Sequence, residues 1–284
     1  MRFGFVGSYG SVSQVVQMAQ EAEAHGWDGF FTWDGISVGE MDTWDPWALL
    51  GALAVSTERI RLGAMIFALA RRRPWKVARE ALTVDHLSGG RLVMPVALGA
   101  VEDGGFTRVR GEATTARERA ERLDEALAIL EQAWSGEPFS YSGVHNKVTD
   151  LVFRPRPVQQ PRIPVWVVGA WPSERSMGRA ARWDGLLPQR RGNGLQPLTP
   201  PEVAAAVAWV HDRRRAMAPT EPGREHAYDV VVEGVLPPES EAAAAHARAF
   251  ADAGATWWVE SRWDVARDTP EALLDRIRQG PPRL

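Results

Sequence analysis

Five carboxylates, Asp34, Glu102, Asp103, Glu233 and Glu260, fall at or just beyond apolar runs that read as strands. Acids in such places can move protons, and two of them facing each other across one bond would suit glycoside hydrolysis. Spacing alone does not select that chemistry. Asp34 closes the stretch Gly26-Trp27-Asp28-Gly29-Phe30-Phe31-Thr32-Trp33-Asp34, which runs from a helix-ending glycine through an aromatic strand to a carboxylate. If that strand belongs to a β/α barrel, Trp33 and Asp34 look into the site; otherwise Asp34 caps a turn or the next helix. A second group is Gly169-Ala170-Trp171-Pro172-Ser173-Glu174-Arg175-Ser176, a strand end, small residues and a helix start with Arg175 and Arg179 close behind. Free helix N–H groups with guanidinium support suit a phosphate, whereas the plainer reading has Ser173 as a cap and the arginines in solvent.

Other chemistries drop out. There is no cysteine among the 284 residues, which removes disulfides, thiolate metal sites and cysteine nucleophiles. The six histidines, His25, His86, His145, His211, His226 and His246, are scattered, so no metal site is expected. No phosphate-binding Walker loop, dinucleotide glycine motif, serine elbow or His-Glu-x-x-His pair occurs. A formal charge of −3 gives no basic footprint for nucleic acid or anionic membrane, and the short runs Arg71-Arg72-Arg73 and Arg213-Arg214-Arg215 do not reverse it. With no signal-peptide layout and no apolar run of spanning length, cytoplasmic residence is the default expectation. Thirteen tryptophans against three tyrosines make flat aromatic ligands plausible, although most of the thirteen should pack internally.

The elements that must position these groups alternate. Strands are expected at Arg2 to Val6, through Phe30 and Phe31, at Ile60 to Phe67, Arg91 to Gly99, Pro164 to Ala170, Asp184 to Pro188, Tyr228 to Val235 and Ala255 to Val259. Between them lie helical patterns, such as Ser11 to His25 and the helix that Asp45-Pro46 opens with a cap and a proline at its first position. The helix Thr115 to Trp134 should turn Arg117, Glu118, Arg119, Glu121 and Arg122 outward and Leu123, Leu127 and Leu130 inward. Such alternation predicts an α/β fold with a parallel sheet, as a (β/α)8 TIM barrel or a doubly wound sheet, in one domain over 1–284. An insertion at approximately 136–164, after the fourth β/α unit, breaks the rhythm with a hairpin and an extended Arg154-Pro155-Arg156-Pro157 segment, a candidate lid or wall.

Several stretches then resemble one family. Phe31-Thr32-Trp33-Asp34, Asp45-Pro46-Trp47-Ala48-Leu49-Leu50, Arg59-Ile60-Arg61-Leu62-Gly63, Arg71-Arg72-Arg73-Pro74-Trp75-Lys76-Val77-Ala78-Arg79-Glu80, Asp85-His86-Leu87-Ser88-Gly89-Gly90-Arg91-Leu92 and Ala180-Ala181-Arg182-Trp183-Asp184-Gly185 resemble, in colinear order, the bacterial luciferase-like flavin-dependent oxidoreductases. The resemblance implies a TIM barrel with an insertion that binds FMN or the deazaflavin F420 at the strand carboxyl ends. FMN members activate oxygen, and F420 members pass a hydride. By this likeness Asp34 and Trp33 are the catalytic candidates beside the ring or substrate. Gly7, in a turn that lets backbone approach the site, joins Ala64, Met65 and Ile66, where relatives place a cis peptide behind the ring, as cofactor contacts. Gly99 and Ala100 match a small-residue turn near the ring, and Gly169, Ala170, Trp171 and Arg175 the phosphate region.

The resemblance further implies a small-molecule substrate, a separate flavin or F420 reductase and a homodimer through the second and third helices. F420 is narrowly favoured over FMN, because the short chain and Arg71, Arg72 and Arg73 resemble F420-type members, whose acidic tail those arginines could meet. There are departures. Gly35 stands where the F420-linked sugar dehydrogenases carry a histidine, Ala97 and Ala100 where relatives often show Gly or Glu, and Pro95 lies inside a strand. A glycoside hydrolase-like barrel and a cofactor-binding barrel without turnover therefore remain as alternatives.

Overall fold

Helices begin where the first turn finds an acceptor. Ser11 and Gln14 cap one another reciprocally, Asp45 accepts the Ala48 amide at 2.9 Å ahead of Pro46, and Thr115 and Thr269 cap two later helices. The computed structural model describes residues 1–192, 197–217 and 227–284. In chain order its elements are β1 (Arg2–Val6), α1 (Val12–Ala24), β2 (Gly29–Thr32), α2 (Pro46–Ser56), β3 (Arg61–Ala64), β4 (Phe67–Ala68), α3 (Pro74–Leu87) and β5 (Met94–Ala97). There follow α4 (Gly104–Thr107), α5 (Ala116–Trp134), β6 (Phe139–Ser142), β7 (Lys147–Leu151), β8 (Val165–Trp171), α6 (Glu174–Ala180) and β9 (Gly185–Arg190). The chain closes with α7 (Pro200–Met217), β10 (Asp229–Gly234), α8 (Ser240–Asp252), β11 (Trp257–Glu260) and α9 (Pro270–Arg278). Of the histidines, His226 lies outside the described residues.

Contacts group the chain into two compact units, Met1–Phe31 with Pro164–Leu284, and Thr32–Ile163. In the first, the strands run parallel in the order β2-β1-β11-β10-β9-β8. Parallel strands covered on both faces need near-continuous apolar side chains, and Val230, Val231, Leu186, Leu187 and Val167 supply them. Much of the tryptophan surplus is spent here: Phe31, Trp166 and Trp257 are fully buried together, with Trp166 and Trp257 ring centres 5.3 Å apart. The strand expected at Asp184 to Pro188 extends to Arg190 and pairs on both sides.

In the second unit, the strand expected at Ile60 to Phe67 is interrupted. It forms β3 and β4 around a cis Met65–Ile66 peptide, and the Met65 amide donates to the Thr32 carbonyl at 2.8 Å. β5 is shorter than the Arg91 to Gly99 pattern, and its Val96 and Ala97 pair with both residues of β4. The insertion contains the antiparallel β6–β7 hairpin, as its pattern suggested. Its extended part is held by Asp85, which accepts the Val158 amide at 2.7 Å, and by Gln159, which bonds Arg61 and the Leu92 carbonyl. Those anchors lie at the amino ends of β3 and β5. That part is therefore no lid over the strand carboxyl ends, where the acids stand. Arg119 is a second correction: it is buried and donates to the Gly99 carbonyl, because the ring of Phe106 offers its guanidinium an apolar seat 5.1 to 5.4 Å from Arg71 and Arg119 alike.

Candidate functional site

The chain leaves β2 with Thr32 buried, then Trp33 half-buried and Asp34 turned inward, its side chain wholly shielded from solvent. One carboxylate oxygen of Asp34 accepts from Arg71 Nη2 and Arg72 Nη2, both at 2.8 Å; the other accepts from Arg72 Nε at 2.9 Å and the Ala68 amide at 3.0 Å. A carboxylate offers about four lone-pair positions, so all are taken. Burial pulls the Asp34 carboxyl upward, but the hydrogen bonds and charge of Arg72 and the charge of Arg71 outweigh it and hold it below the ordinary range. Arg72 is in turn held above its ordinary value against the opposing pull of burial, chiefly by Asp34. Asp34 is thus a fixed anion with no position free to take a proton.

Arg71 bridges to a second acid. Its other nitrogen pairs with Asp103, which also accepts the amides of Ile36, Ser37 and Gly105 at 2.9 to 3.0 Å. Burial raises the Asp103 carboxyl; those amides, with Arg71, hold it below the usual range. The network ties the loops after β2 and β5 to the segment after β4. It also corrects the reading of Arg71 and Arg72 as solvated or tail-binding groups, for both are spent on buried carboxylates. Arg73 alone of the three is exposed. The clue was in the sequence as paired signs, two strand-end aspartates and an arginine run, but the partners lie 32 to 38 residues apart.

The other predicted positions of this unit lie on the same rim. Ala64 and Met65 are buried, Ile66 is partly buried against Ala68, Ala70 and Phe106, and Trp47 stacks on Phe67 with centres 4.4 Å apart. Gly99 has φ +79°, and a Cβ there would meet Phe106 and Ala68; Ala100 beside it is exposed. The missing histidine at position 35 has a steric reason: a Cβ there would overlap the ring of Trp33.

In the first unit, Gly7 and Gly169 are small because Phe30 in one case, and Leu186 with Met177 in the other, occupy the place of a side chain. Ala170 and Trp171 are half-buried, and the Ala170 amide donates to Ser176 Oγ at 2.9 Å. Arg175 is exposed and lines a groove of about 520 Å³ with Arg213, Trp209, Glu174 and Asp212, a balanced set of charges. Among the strand-end acids, Glu260 is buried and bonded by Arg262 and Arg276 at 2.6 to 3.0 Å, and Glu102 is exposed. Glu233 lines a separate cavity without a basic partner among the described residues. No group of His, Asp and Glu among the described residues could hold a metal ion, and no helix is long and apolar enough to cross a membrane.

Known proteins are similar to this chain. The F420-dependent glucose-6-phosphate dehydrogenase of Microbacterium testaceum is 30% identical over 191 residues, 64% of this chain and 55% of that protein. The oxygenase component of the flavin-dependent trigonelline monooxygenase of Acinetobacter baylyi is 26% identical over 160 residues, 56% of this chain and 44% of that protein. The chain spans about half the length of the curated relatives it matches. A solved F420-dependent secondary alcohol dehydrogenase, in complex with an F420-acetone adduct, superposes with a TM-score of 0.77 at 15% identity, covering 97% of each chain. That likeness shows the fold, α/β of the luciferase-like TIM-barrel kind. Members of the family use F420 or FMN. The model of the luciferase-like monooxygenases matches residues 2–279, and the chain belongs to that family of oxidoreductases.

Proposed function

We propose that this protein is a cytoplasmic oxidoreductase or monooxygenase that uses F420 or FMN on a small organic substrate, with F420 narrowly favoured on the short chain alone, since Arg71 and Arg72 are spent on buried carboxylates. The observation that carries the reading is the state of the strand-end acids. Asp34, Asp103 and Glu260 are each neutralised by arginine, so the described strand-end acids leave neither unit an opposed pair of free carboxyls of the kind hydrolysis needs. The rim around Asp34 is compensated in charge and otherwise apolar, through Met65, Ile66 and Phe67. Such a surface suits a flat, uncharged ring, and on that chemistry the residues fit the cofactor. When bound, F420 or FMN supplies the hydride or oxygen chemistry that no side chain here provides.

Asp34 then acts by position, holding the Ala68 amide and Arg72 in one arrangement, and Trp33 forms a wall beside it. Ala64, Met65, Ile66, Gly99 and Ala100 form the bed in the second unit. Gly7, Gly169, Ala170 and Trp171 offer backbone in the first, and Arg175 is the cation for a phosphate. A separate reductase supplies reducing equivalents, as the relative named an oxygenase component suggests, and α2 and α3 form a homodimer face.

The test is titration of the pure protein with oxidised and reduced FMN and F420, read by absorbance and fluorescence, followed by oxygen uptake with the reduced form. We expect saturable binding of F420 or FMN and oxygen uptake only in the FMN case. Binding of neither would overturn the reading, and binding without turnover across substrates would favour a carrier.

A further inference from the structure

β10 brings Val230, Val231 and Val232 into the core and then, one residue before its end, Glu233, whose side chain faces a cavity of about 430 Å³ at the carboxyl ends of β9, β10 and β11. That size falls within the range of small-molecule pockets, about 300–1,000 Å³. Leu187, Leu198, Val203 and Val232 make most of its lining apolar. Its polar groups are few and converge: Gln189, Glu233, Ser261 and Trp263. The geometry is fixed in advance, since the Ser261 amide donates to the Gly234 carbonyl at 3.0 Å, and Tyr9 Oη donates to the Trp263 carbonyl at 2.8 Å with the two rings edge to face.

We infer that this cavity is a subsite for a small, uncharged, largely apolar molecule carrying one carbonyl or amide oxygen, and that Glu233 receives that oxygen by donating a hydrogen bond. The inference rests on the proposed function, whose substrate it narrows. Two observations support it. Glu233 is the one charged-type side chain in the lining, so an anion would find no cation there. Burial also holds its carboxyl above the ordinary range, and the hydrogen bonds from Ser261 and Trp263 offset this only in part. This shift favours the protonated form, which can donate where the ionised form cannot.

Among the described residues the charged groups of the packed elements are paired elsewhere: Arg190 of β9 bonds Glu202 of α7 at 2.6 to 2.7 Å. To the lining β9 offers Leu187, Pro188 and Gln189, and the start of α7 with the residues before it offers Pro197, Leu198 and Val203. On the loop after β11, Arg262 is bound to Glu260 and lies 3.7 Å from Asp268, Asp264 pairs with Arg267, and Tyr9 is kept neutral by burial and by Asp268 and Asp264.

The experiment is calorimetric titration of the full chain with benzamide, benzoate and benzylammonium, three probes of one shape and different charge. Benzamide should bind most tightly, weaken as pH rises through the titration of Glu233, and bind about tenfold more weakly to Glu233→Val. Glu233→Gln keeps a donor, so it should retain benzamide without the pH dependence. Tighter binding of benzylammonium than benzamide would show an ionised Glu233 and overturn the inference, as would equal affinity of benzamide for the Val variant. Cofactor titration of the same samples separates the two claims: FMN or F420 binding with no preference for benzamide sinks only the subsite, and the reverse sinks only the cofactor reading.

Discussion

A buried carboxylate whose every lone pair is occupied behaves differently from one waiting for a proton. Asp34 holds two guanidinium groups and one amide, so removing its charge leaves Arg71 and Arg72 facing an apolar rim. Loss of one partner from a buried ion pair costs about 3–5 kcal/mol, and Arg71 retains Asp103, which puts Asp34→Asn near the lower end, about 3 kcal/mol. Urea unfolding would measure it. The pH dependence has a definite sign: the Asp34 carboxyl lies below its ordinary value in the folded chain, so its contribution is present above that value and lost as pH falls through the folded one. The Asn variant should therefore differ most from the parent at neutral pH and converge on it in acid. Equal stability of the two at neutral pH would show that the network is not what holds the rim. The positions were open to reading, since Asp34, Met65, Ile66 and Gly99 all sit just past strands that the apolar runs mark. What stayed hidden was direction: an Arg-Arg-Arg run reads as solvated until the folded chain brings two aspartates under it.

The same contrast holds for whole elements. Strand and helix order could be read from periodicity, because buried parallel strands and amphipathic helices repeat at different spacings. The break between β3 and β4 could not, since Leu62 to Phe67 runs on without a polar side chain. The seat of the β6–β7 hairpin was equally silent. Its turn is held by Glu125 of α5, which accepts the amides of Val144, His145 and Asn146 at 2.5 to 3.0 Å and the Asn146 side chain at 2.9 Å. On the sequence Glu125 is one more charge on a charged helix; its partners lie about twenty residues on. Each hydrogen bond to a charged group is worth roughly 1.5–3 kcal/mol, so the turn is the hairpin's main anchor. Glu125→Gln keeps one acceptor oxygen and should raise amide exchange at residues 144–146 by about tenfold or more, leaving β8 and β9 unchanged. Unaltered exchange at the turn would mean that the hairpin is held by Phe139 and Phe153 packing instead.

At the scale of the molecule, carboxyls shifted in opposite directions predict opposite local responses to pH. The unit Thr32–Ile163 holds Asp34, Asp103 and Glu125, all below the ordinary carboxyl range despite the upward pull of burial, because arginine side chains or backbone amides bind their ionised forms. Each adds stability that is present above the unfolded-state value and disappears as pH falls through the folded one. The other unit holds Glu202, lowered to about 2 by Arg190 and Thr199, but also Glu233, raised by burial, and the folded form of Glu233 binds a proton more tightly than the unfolded chain does. Its contribution is complete below the unfolded value and is lost as pH rises through the folded one. Hydrogen exchange resolved along the chain should therefore show protection failing first at Ile36, Ser37, Ala68 and residues 144–146 on acidification, while the amides of β10 stay protected. On the alkaline side the order should reverse, and Glu233→Gln should raise the melting temperature at high pH and leave it unchanged in acid. A Gln variant that gained nothing at high pH would mean that Glu233 ionises freely in its cavity, and the opposite response would be lost.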